Sequence, residues 1–167
     1  MLDRLLEEVE DPASELWHRF DPEAIVVLGH SLGGATVLGW TRFEDPETRL
    51  DGVATLSPAV PLTVVFGPSP SPDGLPTLMM HGTEDPVVPY TISLDLYDLF
   101  HEPKWLLGIA GAEHSDPIES QEVPAIPSRA AAQEAILALI AETTGDASGA
   151  VGTALGELAA SGNETLP

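Results

Sequence analysis

The sequence predicts an α/β protein, a parallel sheet of about four strands flanked by helices. Three observations predict it. Short β-branched or apolar runs alternate with helix-length amphipathic segments along most of the chain. The first run, Ala24-Ile25-Val26-Val27-Leu28, is apolar without interruption, as in a parallel strand covered on both faces by helices. Proline falls between the runs rather than within them.

Taken in order, Leu2, Leu5, Leu6 and Val9 recur at helical spacing. Asp11-Pro12 interrupts that face; Leu16, Trp17 and Phe20 resume it, and Asp21-Pro22 breaks the chain. The strand Ala24–Leu28 leads into a helix from about Gly33 to Phe43. A second strand, Leu50–Leu56, precedes Pro58–Gly74, whose proline and glycine content predicts loops and turns. Thr77–Met80 is the third strand and Tyr90–Phe100 the helix after it. Trp105–Ile109 is the fourth strand. A final helix is expected over Ser128–Glu142, with Pro127 near its start and Ile136, Leu137 and Ile140 facing inward. From Thr143 to Pro167 the composition shifts to Gly, Ala, Ser and Thr. The expected division is a domain over 1–142 and a loosely held tail over 143–167, with a short helix around Ala154 to Ala160.

Charge narrows the function classes. The 167 residues carry 27 acidic and 6 basic side chains, a formal net charge of −21, and Lys104 is the one lysine. Such a surface repels nucleic acid and anionic lipid, so neither is expected as a partner. It also repels itself, which salt relieves; a high-salt milieu and simple solubility both fit. There is no cysteine, which removes disulfides and thiolate chemistry and leaves the compartment open. No apolar run reaches the roughly 20 residues of a membrane span. The opening residues read as an amphipathic helix, not as a signal peptide.

The strongest chemical signal is Gly29-His30-Ser31-Leu32-Gly33, a G-x-S-x-G pattern after a buried strand and before a helix. A serine on this sharp turn presents its hydroxyl at the sheet edge. Glycine at 29 and 33 is expected to remove side chains that would clash. The helix N-terminus behind it offers the Leu32 backbone N–H to an oxyanion.

A serine hydroxyl needs a base. Of five histidines, His18 and His101 fall on predicted helices, and His30 is expected as a packed wall residue. His81 ends a strand and could line the cleft. His114, in Gly111-Ala112-Glu113-His114-Ser115, follows the fourth strand, at the edge where parallel sheets build their sites. Asp85 is the favoured acid to orient it, with Glu84 and Asp116 as rivals. The order Ser31, Asp85, His114 is that of the α/β-hydrolases. Pro58, Ala59, Val60, Val87 and Val88 are candidate walls of an acyl pocket; for these and for Trp40 and Trp105, ordinary core packing is the competing reading.

His81-Gly82-Thr83-Glu84-Asp85-Pro86-Val87-Val88-Pro89 resembles the acid loop of α/β-hydrolases, and Gly111-Ala112-Glu113-His114 resembles their histidine loop. The segment from Asp21 to Gly34 is similar to the nucleophile segment of the dienelactone-hydrolase, chlorophyllase and cutinase-like polyesterase branch. The resemblance covers about residues 1 to 142. It implies a serine carboxylic ester hydrolase working on small or polymeric esters through an acyl-enzyme, with no cofactor and no metal. Thioester hydrolysis or acyl transfer on the same residues is the alternative chemistry. The chain departs from the family in having too few residues before Ser31 to hold the early strands, so the resemblance matches its four strands to the last four of the family. Three expectations follow: a fragment or reduced form whose Met1 is internal, an oxyanion hole lacking the donor supplied by an upstream loop and so impaired or inactive, and an apolar strand edge prone to self-association.

Overall fold

The computed structural model describes residues 2–42, 48–60, 73–118, 127–145 and 147–167. Phe43 and residues 61–72 of the expected proline-rich loop lie outside them. The described elements are α1 (Leu2–Glu10), β1 (Val26–His30), α2 (Leu32–Arg42), β2 (Gly52–Leu56), β3 (Thr77–Gly82), α3 (Thr91–Leu99), β4 (Lys104–Ile109), α4 (Pro127–Thr143), α5 (Ala150–Ala160) and β5 (Glu164–Leu166).

The strands form one sheet in the order β1-β2-β3-β4-β5. β1 to β4 are parallel, as expected, and β5 runs antiparallel to β4. Alternation of side chains divides the core between two faces. Ala54, Leu56, Leu78, Met80, Leu107 and Ile109 point to α4 and α5. Val53, Met79 and Leu106 point to the other side, where Val37, Leu38, Leu96 and Phe100 cover them from α2 and α3. Because β1 to β4 run one way, His30, Leu56, Gly82 and Ile109 end on a single edge, and the loops that follow share it.

Three expectations are corrected. Residues 12–20 form turns, not a continuation of α1, and Trp17 and Phe20 are exposed. Asp11 Oδ1 accepts the Ala13 N–H at 2.8 Å and the Ser14 hydroxyl donates to Glu8 at 2.6 Å, closing the chain into a turn before the apolar face could resume. In α4 the buried apolar residues are Ala131, Ala132, Ala135 and Leu139, whereas Leu137 is 65% exposed and Ile140 38%. This helix is apolar nearly all round, so periodicity does not select a face; the alanines let it lie close on the sheet.

The helix expected around Ala154 to Ala160 is present and longer, and the segment after 143 is packed rather than loosely held. Residues 150–166 form α5 and β5, and Val151, Leu155 and Leu158 join the core beside α4. Their i, i+4, i+7 spacing is the signal that the small-residue composition hides. Asn163 ties the end down: its Oδ1 accepts the Ala110 N–H at 3.1 Å and its Nδ2 donates to the Leu158 carbonyl at 3.0 Å. Among the described strands β1 lies at the edge of the sheet, with Leu28 exposed.

Candidate active site

Ser31 follows β1 directly and adopts φ of +53°, a conformation rare for a residue with a side chain. Its backbone is locked: its N–H donates to Leu56 O at 2.9 Å, and its carbonyl accepts from Ala35 at 3.1 Å and Ala59 at 2.9 Å. The turn folds the backbone of Gly33 over Gly29, where a Cβ would lie 2.3 Å from the Gly33 carbonyl oxygen. Only glycine fits at 29. A Cβ at Gly33 would meet nothing within 4 Å, so the expected steric need there is not found. α2 starts at Leu32, which places the positive end of its dipole beside the serine.

β3 and β4 bring the other two residues together. Asp85 and His114 are 29 positions apart, yet His114 Nδ1 donates to Asp85 Oδ2 at 2.7 Å. Asp85 Oδ1 accepts the Val87 and Val88 N–H groups, each at 2.8 Å. The two loops cross closely: a Cβ at Gly82 would lie 2.2 Å from the Ala112 carbonyl oxygen, and Glu84 N donates to that oxygen at 3.1 Å. Burial opposes the charge of Asp85, but hydrogen bonds from Val88 N–H, His114 and Val87 N–H, with the nearby Ser57 hydroxyl, outweigh it and hold the carboxyl below its ordinary value. Of the rival acids, Glu84 is exposed and Asp116 accepts the Glu113 N–H at 2.9 Å, bracing the histidine loop.

Two histidines take places that the sequence did not assign. His30 Nε2 donates to the His114 carbonyl at 3.0 Å, and the two rings lie 4.7 Å apart, so the residue before Ser31 holds the loop of His114. His81 does not line a cleft. It is fully buried beneath Asp85, with Nε2 3.3 Å from Asp85 Oδ2 and 2.9 Å from Val88 O, and Nδ1 2.7 Å from Ser93 Oγ. β3 is buried at every position, so alternation along the strand does not separate His81 from a cleft-lining residue. His101 pairs with Asp73 at the surface.

No hydrogen bond joins the Ser31 hydroxyl to the His114 imidazole among the described residues. Such contacts are often long in a free enzyme and tighten when substrate binds. Among the pocket candidates, Val60 packs in the core, Pro58 is buried, and buried Val88 uses its main chain on Asp85 and His81. Ala59 is half-buried and Val87 is 66% exposed. A depression of about 440 Å³ between Leu6, Pro22 and Arg49 lies by the opposite edge of the sheet, away from Ser31. Among the described residues no cluster of three His, Asp or Glu could hold a metal ion, and no helix is long and apolar enough to cross a membrane.

A mostly parallel sheet, flanked by helices and followed at its strand ends by a strained serine turn and a paired Asp and His, defines the α/β-hydrolase class. Residues 4–103, more than half of the chain, match the family described as phospholipase/carboxylesterase, and the chain belongs to that family. Similar proteins include uncharacterized protein YfhR of Escherichia coli strain K12, 29% identical over 131 residues that cover 67% of this chain and 46% of that protein. YfhR of Salmonella typhi is 29% identical over 140 residues, covering 67% of this chain and 48% of that protein. The chain thus spans about half the length of the curated relatives it matches.

Proposed function

We propose that the chain is a serine carboxylic ester hydrolase with Ser31 as nucleophile, His114 as base and Asp85 as the acid that orients it. The observation that carries the reading is the 2.7 Å bond from His114 Nδ1 to Asp85 Oδ2 on the sheet edge that also holds Ser31 at φ +53°. With its Nδ1 proton committed to Asp85, the imidazole has its Nε2 lone pair free to act as base.

Nε2 of His114 takes the hydroxyl proton as Ser31 Oγ attacks the ester carbonyl carbon. The oxyanion of the tetrahedral intermediate faces the Leu32 N–H and the N-terminus of α2. Collapse breaks the C–O bond, the alcohol leaves with the proton from His114, and an acyl-enzyme remains. Water, deprotonated by His114, then attacks the acyl carbon, releasing the acid and restoring Ser31. No cofactor enters this cycle. Ala59 and Val87 are the open candidates for acyl contact. The similarity of Asp21 to Gly34 to the dienelactone-hydrolase, chlorophyllase and cutinase-like polyesterase branch points first to small or polymeric carboxylic esters, with acyl thioesters as the rival substrates.

A second reading, a chain with these residues but impaired chemistry, is favoured by the unbonded Ser31 hydroxyl. A fluorophosphonate probe separates the two. Stoichiometric labelling abolished by Ser31→Ala supports the hydrolase; absent labelling of the intact chain supports the second reading.

A further inference from the structure

Asp85 is gripped from two sides. His114 reaches Oδ2 from the site, and His81 reaches the same oxygen from the interior. Four groups surround the His81 ring: the Val88 carbonyl and Asp85 carboxylate at Nε2, the Ser93 hydroxyl at Nδ1, and the Tyr90 ring 5.7 Å away. A carbonyl only accepts, so the Val88 oxygen requires the proton on Nε2. The Nδ1 lone pair then accepts a hydrogen bond from the Ser93 hydroxyl. The other neutral tautomer would leave the Val88 oxygen unpaired and turn a lone pair toward a carboxylate.

We infer that His81, fixed in tautomer by Ser93 and Val88, is a positioning residue that holds Asp85 Oδ2 in line with His114 Nδ1. The inference rests on Asp85 and His114 acting as acid and base. The same Nε2–H also ties the Val88 carbonyl, and Val87 and Val88 hold Oδ1 through their amides. One ring therefore braces both the carboxylate and the turn that grips it. Its burial favours the neutral form, in which it lends a hydrogen-bond dipole without competing with His114 as a second cation.

The test uses the full chain with His81→Phe, His81→Gln and Ser93→Ala. The glutamine amide N–H can stand near the position of Nε2; phenylalanine keeps the bulk and has no donor. The readouts are the downfield proton resonance of His114 Nδ1–H, assigned by its loss in Asp85→Asn, and the kcat and KM for a short nitrophenyl ester. His81→Phe should displace or broaden the resonance and lower kcat about tenfold, the rate equivalent of one hydrogen bond, with KM unchanged. His81→Gln should restore most of both. A wild-type resonance in His81→Phe, or glutamine no better than phenylalanine, overturns the inference. If His81→Phe does not fold, Ser93→Ala decides: a shifted resonance supports the inference and an unmoved one overturns it. The resonance needs no turnover, so a chain that fails to label at Ser31 ends the hydrolase reading while this inference is still judged.

Discussion

Asp85 receives His114 Nδ1 on Oδ2 at 2.7 Å while Oδ1 of the same carboxylate takes two backbone amides at 2.8 Å. The carboxylate is thus fixed to its own turn by one oxygen and left to direct the imidazole with the other. Asp85→Asn separates these tasks. The amide oxygen can keep Val87 and Val88, but the NH2 group then faces His114 and forces its proton to Nε2. On the proposed mechanism kcat falls by about 10⁴, whereas far-ultraviolet circular dichroism stays that of the parent. Undiminished turnover of a nitrophenyl ester would remove Asp85 from the mechanism.

The two glycines of the Ser31 turn should behave oppositely. Gly29→Ala sets a Cβ against the Gly33 carbonyl at 2.3 Å, where backbone has to move, and overpacking of this sort costs about 1–3 kcal/mol. Gly33→Ala meets nothing, lies in α2, and should gain about 0.5–1 kcal/mol from helix propensity. Urea unfolding of both variants checks the contrast, and equal losses would contradict it.

Acid should weaken the fold in two stages. His81 is held below its ordinary value of 6.5, so the unfolded chain takes up its proton first, and the stability it contributes is complete above pH 6.5 and declines as pH falls below it. Asp85 is held below 3.8, and its contribution is lost in turn below that pH. Falling pH also relieves the repulsion of a −21 chain, an opposing effect common to parent and variant. The difference between parent and His81→Gln isolates the first stage: the decline between pH 6.5 and 5 should be shallower in the variant. Parallel urea midpoints across that range would refute it.

Salt should stabilise the chain. With 27 acidic groups against 6 basic ones, repulsion acts across the whole surface, and screening shortens its range from about 10 Å at 0.1 M to about 3 Å at 1 M. The thermal midpoint should climb steadily through that range. A flat response would mean that the acidity serves solubility alone.

The parallel sheet and the three strand-end loops were legible in the sequence because each rests on local pattern. A continuous apolar run, a G-x-S-x-G turn and a strand-to-loop junction are all decided within a few residues. What escaped depends on partners distant in the chain. β5 is three residues long and exists through its pairing with Leu106, Leu107 and Gly108. The buried face of α4 is chosen by the sheet beneath it. His30 and His81 gain their places from His114, Asp85 and Ser93, contacts that no spacing encodes.

Among the described residues β1 has one neighbouring strand, yet it leads to Ser31, whereas β3, which leads to Asp85, is enclosed on both sides. Local opening should therefore begin at the strand that carries Ser31 and leave the Asp85–His114 pair intact. Amide deuteration would register as early exchange over 26–30, and mild heating would silence Ser31 before the cooperative melt. On the proposed mechanism the working lifetime would be set by the loosening of this strand rather than by the survival of the globule.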